Sequence, residues 1–153
     1  MKVKLMMWCI SVLMFRPDGV AAQEVKDFDA GNFKVEVSHM MPISFPSRSL
    51  SYGYEVVLRH DTAVVSLPYM GRVYQPVIND DGLHFTLPAR EVSVKAVGKS
   101  CTRVEFSVRK MPVLYKFIVK AYDNGRADVM LIPSNAQSIS YSGMWEEKSV
   151  AEL

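Results

Sequence analysis

Cysteine is almost missing from this chain: 153 residues contain two, Cys9 and Cys101. A framework of disulfides is therefore excluded, and so is a zinc site of closely spaced Cys and His ligands. Histidine is as scarce. His39, His60 and His84 are the three present, and none has a second ligand at metal spacing. The serines match neither G-x-S-x-G nor S-x-x-K, so no nucleophile elbow is written locally. The acidic pairs Asp80-Asp81 and Glu146-Glu147 fall in turn or tail positions and read as solvated charges. A catalytic pair would flank a cleft with its two pKa values driven apart. No catalytic residue, metal or cofactor is expected from these patterns. A triad assembled from distant residues stays open.

A surplus of one charge is lacking too. Nucleic-acid binding needs Lys and Arg concentrated on one face to displace counterions from phosphates. Here 18 basic residues face 16 acidic ones, with no basic block. Nucleic acid is not an expected partner.

The longest apolar run is short and lies at the start. Lys2 and Lys4 precede LMMWCISVLMF at 5–15, and Val20-Ala21-Ala22 supplies small side chains before Gln23. That order predicts a secretory signal peptide over 1–22, followed by one domain over 23–153. A membrane-spanning helix needs about 20 apolar residues. Arg16-Pro17-Asp18 stops this run far earlier, so no permanent transmembrane anchor is expected. Cys9 sits in mid-run behind Met6, Met7 and Trp8, the wrong place for lipid attachment. The leader takes three basic residues and one acidic residue with it, leaving 15 of each sign. The expected location is the periplasm or cell envelope. Cys101 would then have no partner within the chain, and with no adjoining His or Lys it reads as an inert, partly buried thiol. A domain of this length buries roughly two-thirds of its unfolded surface without a covalent staple.

What is plentiful is alternation. Phe33, Val35 and Val37 alternate with Lys34, Glu36 and Ser38; Tyr52, Tyr54, Val56 and Leu58 with Glu55 and Arg59. Thr102, Val104, Phe106 and Val108 oppose Arg103, Glu105, Ser107 and Arg109, and Tyr115, Phe117, Val119 and Ala121 oppose Lys116 and Lys120. Successive strand side chains point to opposite faces, so each segment buries one face and wets the other. Half-wet strands make an antiparallel sheet. His60-Asp61, Asn79-Asp80-Asp81-Gly82, Gly98-Lys99-Ser100, Lys110-Met111-Pro112, Asp123-Asn124-Gly125 and Pro133-Ser134-Asn135 punctuate the strands, among them a strand expected at 73–78. These are turn-forming residues at hairpin spacing. The fold class is all-β: an antiparallel meander of about nine strands, a curled sheet or calycin-like barrel in preference to a sandwich. Closure would pair the two edge strands, which otherwise invite aggregation. A Pro- and Ser-rich loop at 41–51 and a short helix at 24–30 complete the expectation.

One segment stands apart: LPYMGRVY at 67–74. Pro68 cannot donate to a ladder, and Gly71 permits a bend. The break reads either as a corner packing Tyr69 and Tyr74 on the core, or as a ligand-contacting lip presenting Tyr69, Arg72 and Tyr74. Tyrosine supplies amphipathic contact and arginine a charged fork.

LPYMGRVYQPVINDDGLHF at 67–85 resembles the core signature of the family domain of unknown function 4251, small exported proteins found mainly in Bacteroidota. SRSLSYGYEVVL at 47–58, YKFIVKAYDNGRADV at 115–129 and SISYSGMW at 138–145 extend the resemblance in matching order. The segment before Phe33 is shorter than is common there. The resemblance implies an exported β-rich domain and carries no catalytic or binding residue across. Two functions follow as expectations. One is a binding module holding a small apolar or amphipathic ligand within a curled sheet rich in Tyr52, Tyr54, Phe106, Tyr115 and Phe117. The other is an envelope component that docks a protein, motivated by the apolar Met144-Trp145.

Overall fold

A computed structural model describes residues 28–77 and 82–146. The expected leader at 1–22 and residues 79–81 of one predicted turn lie outside the described residues, as does most of the helix expected at 24–30. The described end of that helix is not helical. Instead Phe28 tucks its ring against Phe33 at 5.2 Å and edge-on to Trp145 at 5.3 Å.

Nine strands follow in chain order: β1 (Asn32–Pro42), β2 (Arg48–Ser49), β3 (Glu55–Arg59), β4 (Thr62–Leu67), β5 (Leu83–Val97), β6 (Cys101–Lys110), β7 (Val113–Tyr122), β8 (Arg126–Pro133) and β9 (Ile139–Glu146). All pair antiparallel. From β3 to β9 each strand pairs with the next, and β1 pairs with both β3 and β9. Eight strands thus close into a barrel, and β2 is an extra strand on the far half of β1. This is the all-β meander that the alternation predicts, closed as a barrel rather than folded as a sandwich.

Alternation builds the interior. Along β7 the buried side chains are Val113, Tyr115, Phe117, Val119 and Ala121, and along β4 they are Ala63, Val65 and Leu67. Tyr141, Phe33, Phe106, Phe117, Leu58, Leu67 and Leu131 are almost wholly withdrawn from water, and the Phe106 and Phe117 rings stack at 5.0 Å. An eight-stranded barrel is narrow enough to be filled by its own side chains. Full burial of each large apolar side chain is worth about 1.5–3 kcal/mol.

Closure depends on a glycine. At the seam Val37 of β1 lies opposite Gly143 of β9, where the register slips by one residue between Val37 and His39. A Cβ on Gly143 would overlap the Glu36 carbonyl oxygen and come within 2.9 Å of Val37 Cα. The bulge also inverts the parity of β1. Val35 and Val37 point inward before it, Met40 and Pro42 after it.

Two expected strands need correction. The segment from Tyr52 begins its strand only at Glu55, and Tyr52 is 94% exposed, so it is not part of an inward face. The described part of the strand expected at 73–78 forms no strand beyond a single bridge from Val73 to Ala136. It belongs to a strap, residues 68–77, laid across one end of the barrel.

Candidate functional site

The strap starts where Pro68 ends β4. Its path is set by hydrogen bonds to the β8–β9 turn, three of them between main-chain groups. Tyr74 and Gln75 donate their N–H groups to the Asn135 carbonyl at 2.8 and 3.2 Å, and Gln137 N–H donates to the Arg72 carbonyl at 2.8 Å. Asn135 Nδ2 donates to the Gln75 carbonyl at 2.9 Å. Two tyrosines pin the strap from within. Tyr141 Oη, rooted in the core, donates to the Pro68 carbonyl at 2.6 Å, and Tyr69 Oη donates to the Gln137 carbonyl at 2.7 Å. Burial pushes both hydroxyls above the ordinary tyrosine range, and each lies in the other's neighbourhood or that of Tyr74. Both therefore stay neutral donors through the physiological range. Gly71 is required because the Tyr69 ring folds back over it: a Cβ there would sit 2.7 Å from Tyr69 Cζ.

Beneath the strap is a crevice of about 230 Å³, lined by Tyr69, Val73, Pro76, Leu83, Tyr115 and Pro133, with Ala136 and Asn135 on its far wall. It has the volume of about eight waters. Sites for drug-sized ligands run about 300–1,000 Å³, so this one suits a single ring or a short chain. Its lining is mostly apolar; among its polar groups are the Asn135 amide and the Tyr69 hydroxyl, both already engaged with the strap and turn, and the Tyr115 phenol. Phe85 extends the aromatic wall through its ring contact with Tyr115 at 5.7 Å.

The three residues singled out at the break separate. Tyr69 is half-buried and lines the crevice; Arg72 and Tyr74 are exposed on the outside of the strap. The corner reading holds for Tyr69, and Tyr74 does not pack on the core. Reading the sequence missed Val73, Pro76 and Ala136, because the crevice exists only once the strap meets a turn more than 60 residues away. It also missed Gln137, whose Oε1 accepts from Ser44 Oγ at 3.2 Å and so ties the strap's anchor to the 43–47 loop.

A second concavity, about 580 Å³, runs along the outer face of the barrel. Ser140 and Ser142 give β9 a low outer surface, while Met41, Met130 and Ile118 stand beside it with Arg103, Lys120, Arg126 and Asp128. Cross-strand register explains the arrangement: Ile118 faces Met130, Met130 faces Ser140, and Ser140 faces Met41. Nearby, Glu105 is gripped by Arg103 and by Lys116 at 3.6 Å. Desolvation raises its pKa, but the two cations outweigh that and hold the carboxyl below the usual range.

The remaining candidates lie apart. Cys101 is buried and burial raises its thiol pKa, with Lys120 opposing, so the thiolate nucleophile is suppressed. His84 Nδ1 meets Ser66 Oγ at 3.0 Å, and His39 meets Ser38 and Ser49. Among the described residues no three His, Cys, Asp or Glu side chains come together.

The family profile described as a domain of unknown function (DUF4251) matches residues 21–145. The crystal structure of a DUF4251 family protein from Bacteroides eggerthii DSM 20697 superposes with a TM-score of 0.56 at 14% identity, covering 76% of this chain and 79% of that one. At that identity the likeness shows the fold. No curated protein matches the chain. The profile runs through the strap, its anchor turn and the β9 seam glycine, and the chain belongs to the domain of unknown function 4251 family.

Proposed function

We propose that this protein is a non-catalytic binding module of the periplasm or cell envelope, taking a small apolar or amphipathic group into the crevice under the strap. The observation that carries the reading is the crevice itself, apolar on most sides and roofed by a segment held through Tyr69 and Tyr141. The interior is filled by the chain's own side chains, which counts against the ligand expected within the barrel, and the reading proposed here takes the group at one end instead. The residues 1–22, with their basic start and short apolar run, support export.

The test uses N-phenyl-1-naphthylamine, an uncharged dye that brightens in apolar surroundings. Saturable emission is expected with the unaltered protein. Ala136→Leu, which adds atoms to the crevice wall, is expected to weaken binding about tenfold, equivalent to about 1.4 kcal/mol, with the melting temperature retained. Equal binding by both proteins, or none by either, overturns the proposal.

The outer groove supports a second reading, a structural or interaction component of the envelope. Exposed Met41 and Met130, with Ile118, beside a serine floor give an apolar strip bordered by cations. Under this reading Met130→Asp would abolish cross-linking to a repeated envelope partner while leaving dye binding intact.

A further inference from the structure

β5 outruns its neighbour. β4 covers it only from Leu83 to Pro88, and then Ala89 gives its N–H to the Asp61 carbonyl at 2.6 Å, at the β3–β4 turn. Beyond the bulge between Arg90 and Ser93, β5 pairs with β6 alone. Among the described residues no strand takes the other edge of residues 91–97. The side chains there are exposed, with Val92 at 41%, Val94 at 40% and Val97 at 46%. An open edge presents a row of unpaired N–H and C=O groups, which another extended chain can satisfy. Its usual guards are weak here. The bulge lies at the start of the run, and Lys95 is the one charge between 92 and 97.

We propose that residues 91–97 are a docking edge for the same edge of a second copy of this chain, joined antiparallel about a two-fold axis. This rests on neither functional reading above. The register follows from the faces. Val94 lies opposite Val104, a core residue, so Val92, Val94 and Ala96 share the inner face and Ser93, Lys95 and Val97 the outer one. Matched faces put inner residues against inner. With Ser93 on the axis, Val97 of the second copy would be driven onto Ala89, whose N–H Asp61 already holds. With Lys95 on the axis, two ammonium groups would stand opposite each other. With Val94 on the axis, Val94 meets Val94, Val92 meets Ala96 and Ser93 meets Lys95. Glu91, at the bulge with φ 55°, then stands at the end of the seam two positions along from Lys95 of the second copy, so opposite charges share each end. Valine contact and charge complementarity coincide in that register. The seam is short of the ~1,200 Å² of a standard interface, so the dimer is weak, dissociating in the range of about 10–100 μM.

Sedimentation velocity of the purified protein across that range reads the association directly. Lys95→Glu is expected to weaken it about tenfold, since it sets like charges at both ends of the seam. Lys95 already faces Arg103 within the chain, so the fold tolerates the acid. The double exchange Glu91→Lys with Lys95→Glu is expected to restore association. Val94→Cys is expected to oxidise to a covalent dimer, because facing strand residues lie about 4.5–5.5 Å apart, inside disulfide range. Arg48→Cys, exposed on β2, serves as the control and stays monomeric. A protein monomeric throughout, a dimer indifferent to Lys95→Glu, or a monomer that takes an unrelated extended peptide on this edge each overturns self-pairing.

Discussion

Replacing Gly143 by alanine is expected to open the barrel at its seam. The added methyl would overlap the Glu36 carbonyl and press on Val37 Cα, both main-chain atoms of β1 that no side-chain rotation can move aside. The strands must part locally. Overpacking of this kind costs about 1–3 kcal/mol, and one or two weakened ladder bonds add about 0.5–1.5 kcal/mol each. The sum, about 1.5–6 kcal/mol, is a large share of the roughly 5–15 kcal/mol that holds a domain together. For a chain of this length each kcal/mol moves the melting temperature by about 2–4 °C, so a fall of about 3–24 °C is expected in thermal unfolding followed by circular dichroism. Gly31→Ala is the control. Its Cβ would meet only Asp29 Oδ1 at an ordinary 3.5 Å, and its melting temperature is expected to stay within about 2 °C, as for surface changes generally. A Gly143→Ala protein that melts with the unaltered one would refute the seam geometry.

Tyr141→Phe removes the hydrogen bond to the Pro68 carbonyl and is expected to cost about 1–3 kcal/mol at neutral pH in urea unfolding, through the orphaned acceptor. The same residue shapes the alkaline limb. Its folded pKa lies above the 10.0 of an ordinary tyrosine, so its stabilisation is complete below pH 10 and is lost as pH rises further. Tyr141→Phe is therefore expected to flatten the stability profile above pH 10; an unchanged slope would contradict the burial argument. Glu105 works in the opposite sense. Its folded pKa is lowered, so its contribution is present at neutral pH and disappears as pH falls through the carboxylate range. The melting difference between Glu105→Gln and the unaltered protein is expected to be visible at pH 7 and gone in strong acid. On the strap, Arg72→Ala and Tyr74→Ala are expected to leave stability within about 0.5 kcal/mol, whereas Gly71→Ala displaces the Tyr69 ring and lowers the melting temperature; equal effects from all three would deny the strap its inner and outer sides.

Much of the barrel is legible as period two. Val104, Phe106 and Val108, or Tyr115, Phe117 and Val119, alternate with charged residues because one face fills the interior and the other meets water. Hairpin residues such as Asp123-Asn124-Gly125 fix antiparallel neighbours, so the strand order follows from the chain order. Alternation fails where a long-range contact decides. The β1 bulge opposite Gly143 turns Met40 inward where an unbroken period would bury His39 and Met41. Tyr52 keeps the period of Tyr54 and Val56 but lies in the turn before β3, next to Gly53 with its φ of 101°, where β2 has taken the edge of β1. Val73 and its followers read as a strand, yet the backbone groups of Tyr74 and Gln75 go to Asn135. Pro68 and Gly71 announce the break; only the distant turn determines that a crevice forms beneath it. The open edge of β5 is likewise invisible locally, because it depends on β4 beginning only at Thr62, opposite Pro88.

The central claim is a barrel closed between β1 and β9 around a core of its own side chains. Amide hydrogen exchange of the native protein tests it most directly. The seam amides of Glu36, Met41, Ser142 and Met144, which point across the β1–β9 pair, are expected to exchange as slowly as those of the β6–β7 pair, at the rate set by global unfolding. Fast exchange confined to β1 and β9, with β6 and β7 still protected, would describe an open sheet and contradict the account.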